Sequence, residues 1–196
     1  GLYQQRPNDG HFMQRIKVPN GHLTSEQLRV LGQIAIDFGR NLIDITTRQD
    51  FQYHWFTINN MPEIYRRLAT VGMTTSGACG DITRNVVGCP VTGITKDEYF
   101  DSYPLAEEIT AMMVGNKEFS NLPRKYKISV CACYQQCAQP EINEIGLYGV
   151  KKGDQLGYGL MVASLWVFRR STPRRATDGW ESRWRPAACS CATPSP

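Results

Sequence analysis

The sequence predicts an α+β protein of two modules, followed by a tail of different character. Stretches with the periods of strands and helices alternate as far as residue 162. The order in the first 72 residues is strand, helix, strand, strand, helix, which is most of a split βαβ, or ferredoxin-like, unit. Strands and one helix recur after residue 73 in a different order, which predicts a second α+β unit.

The first module, residues 1–72, contains residues typical of the beginning and end of its two predicted helices. Thr24 and Gln27 are spaced as a capping box, apolar residues follow at helical spacing, and Gly39 is a typical helix end. Pro62 is typical of a first helical turn. The predicted elements are a strand over 12–18, a helix from Thr24 to Gly39, strands over 42–46 and 51–56, and a helix from Pro62 to Gly72.

The second module, residues 73–163, opens with a segment rich in glycine, threonine and cysteine that runs to Thr95. The apolar pattern then predicts a helix over 105–114 and strands near 127–132, 145–150 and 157–162. No strand–GxGxxG–helix order is present, so a dinucleotide fingerprint is absent.

Residues 164–196 form a tail that differs in composition from the rest. It contains six arginines and no lysine, and no amphipathic period survives in it. We interpret it as an aberrant segment, the product of a frameshift or a foreign tail, and expect disorder; a natural basic tail is the alternative.

The charge of the whole chain gives no argument for nucleic-acid binding. The net charge of +4 comes from the tail, because basic and acidic residues balance in residues 1–163. No apolar run approaches the ~20 residues of a membrane span. The chain opens at Gly1 without a methionine or a visible secretion signal, which indicates a fragment or a processed chain. The seven cysteines are therefore expected to be reduced thiols or ligands in the cytoplasm.

Three cationic segments predict an anion-binding enzyme site. Arg48 and Gln49 lie in the link between two predicted strands, and Arg84 and Asn85 lie in a glycine-flanked segment. The third segment contains Lys125 and Lys127 at the start of a predicted strand, where alternation points both ammonium groups to one side. Arginine suits bidentate contacts with oxyanions, whereas lysine is a mobile point charge. Each segment alone is also typical of a solvated loop, with Asp50 or Asp81 as a neutralising neighbour.

These segments resemble motifs of the sirohaem-dependent nitrite and sulfite reductases. The motifs are Thr46-Thr47-Arg48-Gln49 with Phe51, Gln52 and His54 following, Arg84-Asn85-Val86, and Leu122-Pro123-Arg124-Lys125-Tyr126-Lys127. Their order and spacing resemble the N-terminal half of that family over residues 1–162. The family has a ferredoxin-like module and a sirohaem-binding module that occur twice.

The resemblance implies roles for these residues. Arg48, Arg84, Lys125 and Lys127 would surround the anion on the sirohaem iron, with the lysines as proton donors. Arg124, Gln49 and Asn85 would contribute to the cofactor pocket. The implied reaction is the six-electron reduction of sulfite to sulfide or nitrite to ammonia, and the lysine at 127 favours sulfite slightly.

The cysteines only partly match the family's [4Fe–4S] motif. Cys133-x3-Cys137 resembles its second half, but the C-x5-C half is absent, since nine residues separate Cys79 from Cys89. The resemblance places the cluster on a C-terminal repeat that this chain lacks. Cys133 and Cys137 are therefore either a relic of the repeat or metal ligands.

The resemblance further implies an electron donor, ferredoxin or a flavoprotein, and a chain that is inactive without its C-terminal repeat. Two alternatives stay open. One is an iron–sulfur electron-transfer module without sirohaem, with Cys79, Cys89, Cys133 and Cys137 as ligands. The other is a folded remnant of a broken gene that binds no cofactor.

Overall fold

The computed structural model describes residues 1–7 and 9–162, so the tail expected to be aberrant lies outside the described residues. Within them, two four-stranded sheets are each covered by helix. The α+β fold with a ferredoxin-like first unit is confirmed.

The first sheet is antiparallel and has the strand order β1-β2-β4-β3. Its β4 lies between β2 and β3, which is the arrangement of a split βαβ unit. β1 pairs with the outer side of β2. The strands are β1 (Leu2–Gln4), β2 (Phe12–Ile16), β3 (Asp44–Ile45) and β4 (Phe51–Phe56).

Two helices, α1 (Ser25–Phe38) and α2 (Met61–Thr70), cover one face of this sheet. The predicted capping box is present, since the Gln27 N–H donates to Thr24 Oγ1 at 3.2 Å and the Thr24 N–H donates to Gln27 Oε1 at 3.0 Å. Apolar residues three and four apart face the sheet and form its core. The largest fully buried members are Tyr53, Phe56, Ile16, Leu31, Ile34, Ile64 and Leu68.

The second sheet has the order β5-β6-β7-β8, with three parallel strands and an antiparallel edge. It consists of β5 (Val87–Gly88), β6 (Ile128–Cys131), β7 (Ile145–Lys152) and β8 (Gln155–Val162). All four residues of β6 are buried, as expected of a central parallel strand. Helix α3 (Tyr103–Met113) contributes Ala106 and Met113 to the core of this unit.

The sequence-based boundaries differ from the structure mainly at short elements. β1 and β5 were not predicted, because three and two residues are too few to show a period. β3 has two residues instead of the five predicted. The strand predicted from 127 begins at Ile128.

Candidate functional site

A tight turn between β3 and β4 projects from the first sheet toward the second and carries Arg48 and Gln49. Thr46 Oγ1 accepts hydrogen bonds from the N–H groups of Arg48 (3.3 Å) and Asp50 (3.0 Å). Gln49 adopts a left-handed conformation with φ of 61°. A threonine before two polar residues thus shapes the turn that presents both side chains to the second module.

The Arg48 side chain joins the two modules. Nη1 donates to Asn143 Oδ1 at 2.9 Å, and Nη2 donates to the carbonyl oxygens of Asn85 (2.6 Å) and Ile128 (3.2 Å). Its Nε is buried and has no hydrogen-bond partner. Burial lowers the pKa of Arg48 to about 10, and the nearby carboxylates of Asp50 and Glu144 oppose this shift. Three hydrogen bonds thus fix the guanidinium at the junction between the modules.

Asn85 and Gln49 complete the junction from opposite sides. Asn85 Nδ2 donates to the carbonyl oxygens of Val18 (2.6 Å) and Arg48 (2.8 Å). The Gln49 amide forms two bonds with the backbone of Gly88: Nε2 donates to its oxygen at 3.0 Å, and Oε1 accepts from its nitrogen at 3.1 Å. Both residues were predicted to bind cofactor, and in the structure both also hold the two modules together.

Gly88 permits a close approach of the Asn20 side chain. A Cβ atom at this position would lie 1.4 Å from Oδ1 of Asn20, so any other residue would displace that loop.

A cavity of about 820 Å³ opens at the junction. Four of the predicted site residues line it: Arg48, Gln49, Lys127 and Cys137. Much of the remaining wall is apolar, so the cavity combines an apolar surface with cationic groups at one end. The full lining consists of Thr47, Arg48, Gln49, Val87, Gly88, Pro90, Lys127, Cys137, Ala138, Gln139, Ile142 and Asn143.

Arg84 lies behind this wall and does not line the cavity. Its Nη1 donates to the Ala78 carbonyl at 3.1 Å and to the Tyr3 hydroxyl at 3.5 Å, and its Nε is buried without a partner. Its positive charge contributes to lowering the pKa values of Arg48 and Lys17, which places the three cations close together.

Lys17 is a buried cation that the sequence analysis missed. It is only 4% exposed, and its Nζ donates to the Thr83 carbonyl at 3.4 Å. Burial lowers its pKa to about 8, with Asp50 opposing the shift and Arg48 and Arg84 adding to it. Arg15 and Lys17 are two residues apart at the end of β2, so both side chains point to the same face of the sheet. This spacing of two cations is the sequence pattern that could have identified Lys17.

Asp50 is the counter-charge of this cluster. It is 5% exposed, and its Oδ1 has no hydrogen-bond partner. Burial raises its pKa to about 6, and Arg15, Lys17 and Arg48 oppose the rise. One carboxyl group thus faces three cations, which leaves the cluster with an excess of positive charge.

The two lysines of the third segment do not share a strand face, so this expectation was wrong. Lys125 lies in an exposed turn with φ of 66°, before the strand begins, and strand alternation does not apply to it. Lys127 lines the cavity, and its Nζ pairs with Glu144 Oε1 at 3.2 Å. Arg124 is exposed in the same turn as Lys125, and neither lines the cavity. Their roles toward substrate and cofactor stay predictions.

Four cysteines gather beside the cavity, but not as a metal centre. The thiols of Cys133 and Cys137 act on the pKa values of both Cys89 and Cys131, whereas Cys79 interacts with the terminal amine of Gly1. Among the described residues, no group of three or more histidine, cysteine or acidic side chains is arranged to hold a metal ion. Ligation of a cluster by Cys133 and Cys137 stays a prediction.

Asn143 and Glu144 were also not predicted as site residues. They precede β7, receive the Arg48 and Lys127 side chains, and hold the turn before β6, where the Lys127 N–H donates to Glu144 Oε2 at 2.8 Å.

In the described part of the chain, no helix has the length and apolar character needed to cross a bilayer.

Two family models match the chain. The nitrite/sulfite reductase ferredoxin-like half domain matches residues 3–71, and the nitrite and sulphite reductase 4Fe-4S domain matches residues 79–185. The second match continues past the described residues.

Relatives with these domains are longer proteins. The chain is 39% identical over 163 residues to an assimilatory ferredoxin-dependent nitrite reductase of Haloferax mediterranei, covering 78% of this chain and 28% of that protein. It is 42% identical over 157 residues to a ferredoxin sulfite reductase of Mycobacterium tuberculosis, covering 80% of this chain and 27% of that protein. The solved structure of the Mycobacterium tuberculosis NirA protein matches with a TM-score of 0.77 and 38% identity, over 84% of this chain and 33% of that one.

Proposed function

Because the chain belongs to the nitrite and sulfite reductase family, we propose that it forms the anion-binding part of a sirohaem-dependent reductase. It spans about 27–28% of the two relatives described above, so the complete reaction is assigned to a longer protein or assembly. The proposed reaction is the six-electron reduction of sulfite to sulfide or nitrite to ammonia. Nitrite and sulfite reductases both occur among the relatives; Lys127 leads us to favour sulfite.

The observation that carries this proposal is the cationic end of the cavity. Arg48 and Lys127 line it, and Lys17 and Arg84 add positive charge behind it. An oxyanion bound there gains from cations in a partly water-excluded site, where charge interactions are stronger than in water.

The residues of the cavity fit a carboxylate-rich macrocycle. Val87, Pro90 and Ile142 offer apolar surface, and Arg48 and Lys127 offer positive charge for carboxylates. Arg124, Gln49 and Asn85 are the proposed cofactor contacts. When bound, sirohaem supplies the iron that holds the anion and passes electrons to it.

This chain's own part is to bind the anion and supply protons. The arginines serve as fixed charges, since a guanidinium rarely releases its proton. Lys125 and Lys127 are the proposed proton donors.

We assign the [4Fe–4S] cluster to a C-terminal repeat outside this chain, because the C-x5-C half of the family's motif is absent, nine residues separating Cys79 from Cys89. Ferredoxin is the proposed donor, with a flavoprotein as the alternative; the names of both relatives described above include ferredoxin. A cytoplasmic location is also part of the proposal, supported by free thiols at all five described cysteines.

Because the cluster is assigned to a C-terminal repeat, we predict that the chain alone does not reduce sulfite or nitrite. Purified chain supplied with sirohaem and a chemical electron donor is expected to form neither sulfide from sulfite nor ammonia from nitrite. A full-length relative assayed in parallel is the control for donor and substrate. Product formation by the chain alone would show that it contains a complete electron path and would overturn the assignment of the cluster to another part.

A further inference from the structure

Glu144 is a carboxylate that binds one of the cations lining the cavity. Among the described residues that line it, the charged ones are Arg48 and Lys127. Lys127 Nζ lies 3.2 Å from Glu144 Oε1 and 3.4 Å from Oε2, and the Lys127 N–H donates to Oε2 at 2.8 Å. The Lys127 and Glu144 side chains are only 20% and 16% exposed, so solvent screens this ion pair less than a pair on the open surface.

The negative charge of Glu144 also reaches the second cation. It opposes the lowering of the Arg48 pKa, and the preceding residue, Asn143, accepts a hydrogen bond from Arg48 Nη1 at 2.9 Å. An anion that contacts both Arg48 and Lys127 therefore lies close to the Glu144 carboxylate as well. This carboxylate offsets part of the attraction that the two cations exert on the anion.

The position of Lys127 does not depend on the Glu144 carboxylate alone. Its carbonyl oxygen accepts a hydrogen bond from the Ile145 N–H at 3.2 Å, and the next residue begins β6, which pairs with β7. A glutamine at position 144 still offers a carbonyl oxygen to the Lys127 N–H. Neutralising Glu144 therefore changes the charge beside the cavity more than it changes the place of Lys127.

We propose that Glu144 is a specificity-determining residue that limits the preference of the cavity for doubly charged over singly charged anions. The interaction energy of two charges is proportional to their product, so the carboxylate repels a dianion twice as strongly as a monoanion at the same distance. The doubly charged form of sulfite and singly charged nitrite differ in this way. The inference rests on the anion site of the proposed function and requires neither sirohaem nor an iron–sulfur cluster.

The test is anion binding to the full chain without cofactor, with sulfate as the dianion and nitrate as the monoanion, at constant ionic strength. A ¹H–¹⁵N NMR titration follows the amide signals of Gln49, Gly88 and Asn143, which line the cavity, and gives Kd for each anion. Glu144→Gln is expected to lower Kd about threefold for nitrate and about tenfold for sulfate. Glu108→Gln, which removes an exposed carboxylate of α3, is the matched control and should bind both anions as the wild type does.

A second pair of variants separates the charge of Glu144 from any effect on the placement of Lys127. Lys127→Gln is compared with the double variant that combines Lys127→Gln and Glu144→Gln, in which no ammonium group is left without its counter-charge. The double variant should bind both anions more tightly than Lys127→Gln does, with the larger gain for sulfate. This comparison also carries the test if Glu144→Gln alone does not fold, and circular dichroism establishes folding.

The outcomes distinguish the inference from the proposed function. Equal Kd values for the wild type and Glu144→Gln, or equal gains for nitrate and sulfate, would overturn the inference and leave the proposed anion site intact. Weaker binding by Glu144→Gln would also overturn it, because Glu144 would then position Lys127 for the anion. If neither anion shifted the cavity signals in the wild type or the variant, both the inference and the anion-binding role proposed for the cavity would be contradicted.

Discussion

The buried charges around Asp50 show how single residues set the character of the site. Its carboxyl group faces Arg15, Lys17 and Arg48, yet burial outweighs all three and raises its pKa to about 6. The folded protein therefore binds the Asp50 proton more tightly than the unfolded chain does. Stability contributed by this group is present at low pH and is lost as the pH rises toward and past 6.

Asp50→Asn removes this titration and is expected to change the pH dependence of stability. The free energy of unfolding of the variant, relative to that of the wild type, should increase between pH 4 and pH 7 by on the order of 2 kcal/mol. Urea denaturation at a series of pH values measures it. Asp81→Asn, at an exposed position, is the control for removing a carboxylate from the surface. A variant-to-wild-type difference that stays constant with pH would contradict the assigned role of Asp50.

At the scale of elements, the site is built where a turn of the first sheet meets the strand starts of the second. Asn85 lies just before β5, and its amide nitrogen donates two hydrogen bonds. One goes to the Val18 carbonyl in the loop after β2, and the other goes to the Arg48 carbonyl in the β3–β4 turn. The distances from Asn85 Nδ2 to the two carbonyl oxygens, 2.6 and 2.8 Å, are short for hydrogen bonds of this type.

Asn85→Ala is expected to lower the free energy of unfolding by about 2 kcal/mol, because two buried carbonyl groups lose their donor. Asn59→Ala, at an exposed position in a short turn, is the matched control with little expected change. Urea denaturation of both variants and of the wild type measures the difference. If Asn85→Ala and Asn59→Ala were equally stable, the amide would have no part in joining the modules.

The elements also show what the sequence could and could not predict. The α1 capping box and the β4 limits follow local chemistry and were predicted closely. Lys17 and Glu144 were missed, because their roles come from neighbours 17 or more residues away: Asp50 and Thr83 for Lys17, and Lys127 for Glu144. The prediction that Lys125 and Lys127 share a strand face was wrong, because Lys125 itself has a positive φ and lies in a turn before β6. Motifs located the cationic segments, while their geometry depended on tertiary contacts.

At the scale of the whole molecule, two modules meet at a cavity that combines apolar walls with excess positive charge. Arg48 and Gln49 line the cavity and also join the modules, and Asn85 joins the modules from behind the lining residues. Because Arg48 and Gln49 both hold the junction and face the cavity, a ligand bound there would also stabilise the joined arrangement.

The most direct test of the account is anion binding to the chain after loading with sirohaem. The wild-type chain is expected to take up sirohaem with a Soret absorption band, and the band should shift as sulfite or nitrite is added. Arg48→Ala should weaken anion binding about 10- to 100-fold, since a buried charged donor is lost. Arg29→Ala, which removes an exposed arginine of α1, should bind as the wild type does. Circular dichroism establishes that each variant is folded. A chain that takes up no sirohaem, or a folded Arg48→Ala variant with unchanged anion affinity, would contradict the account.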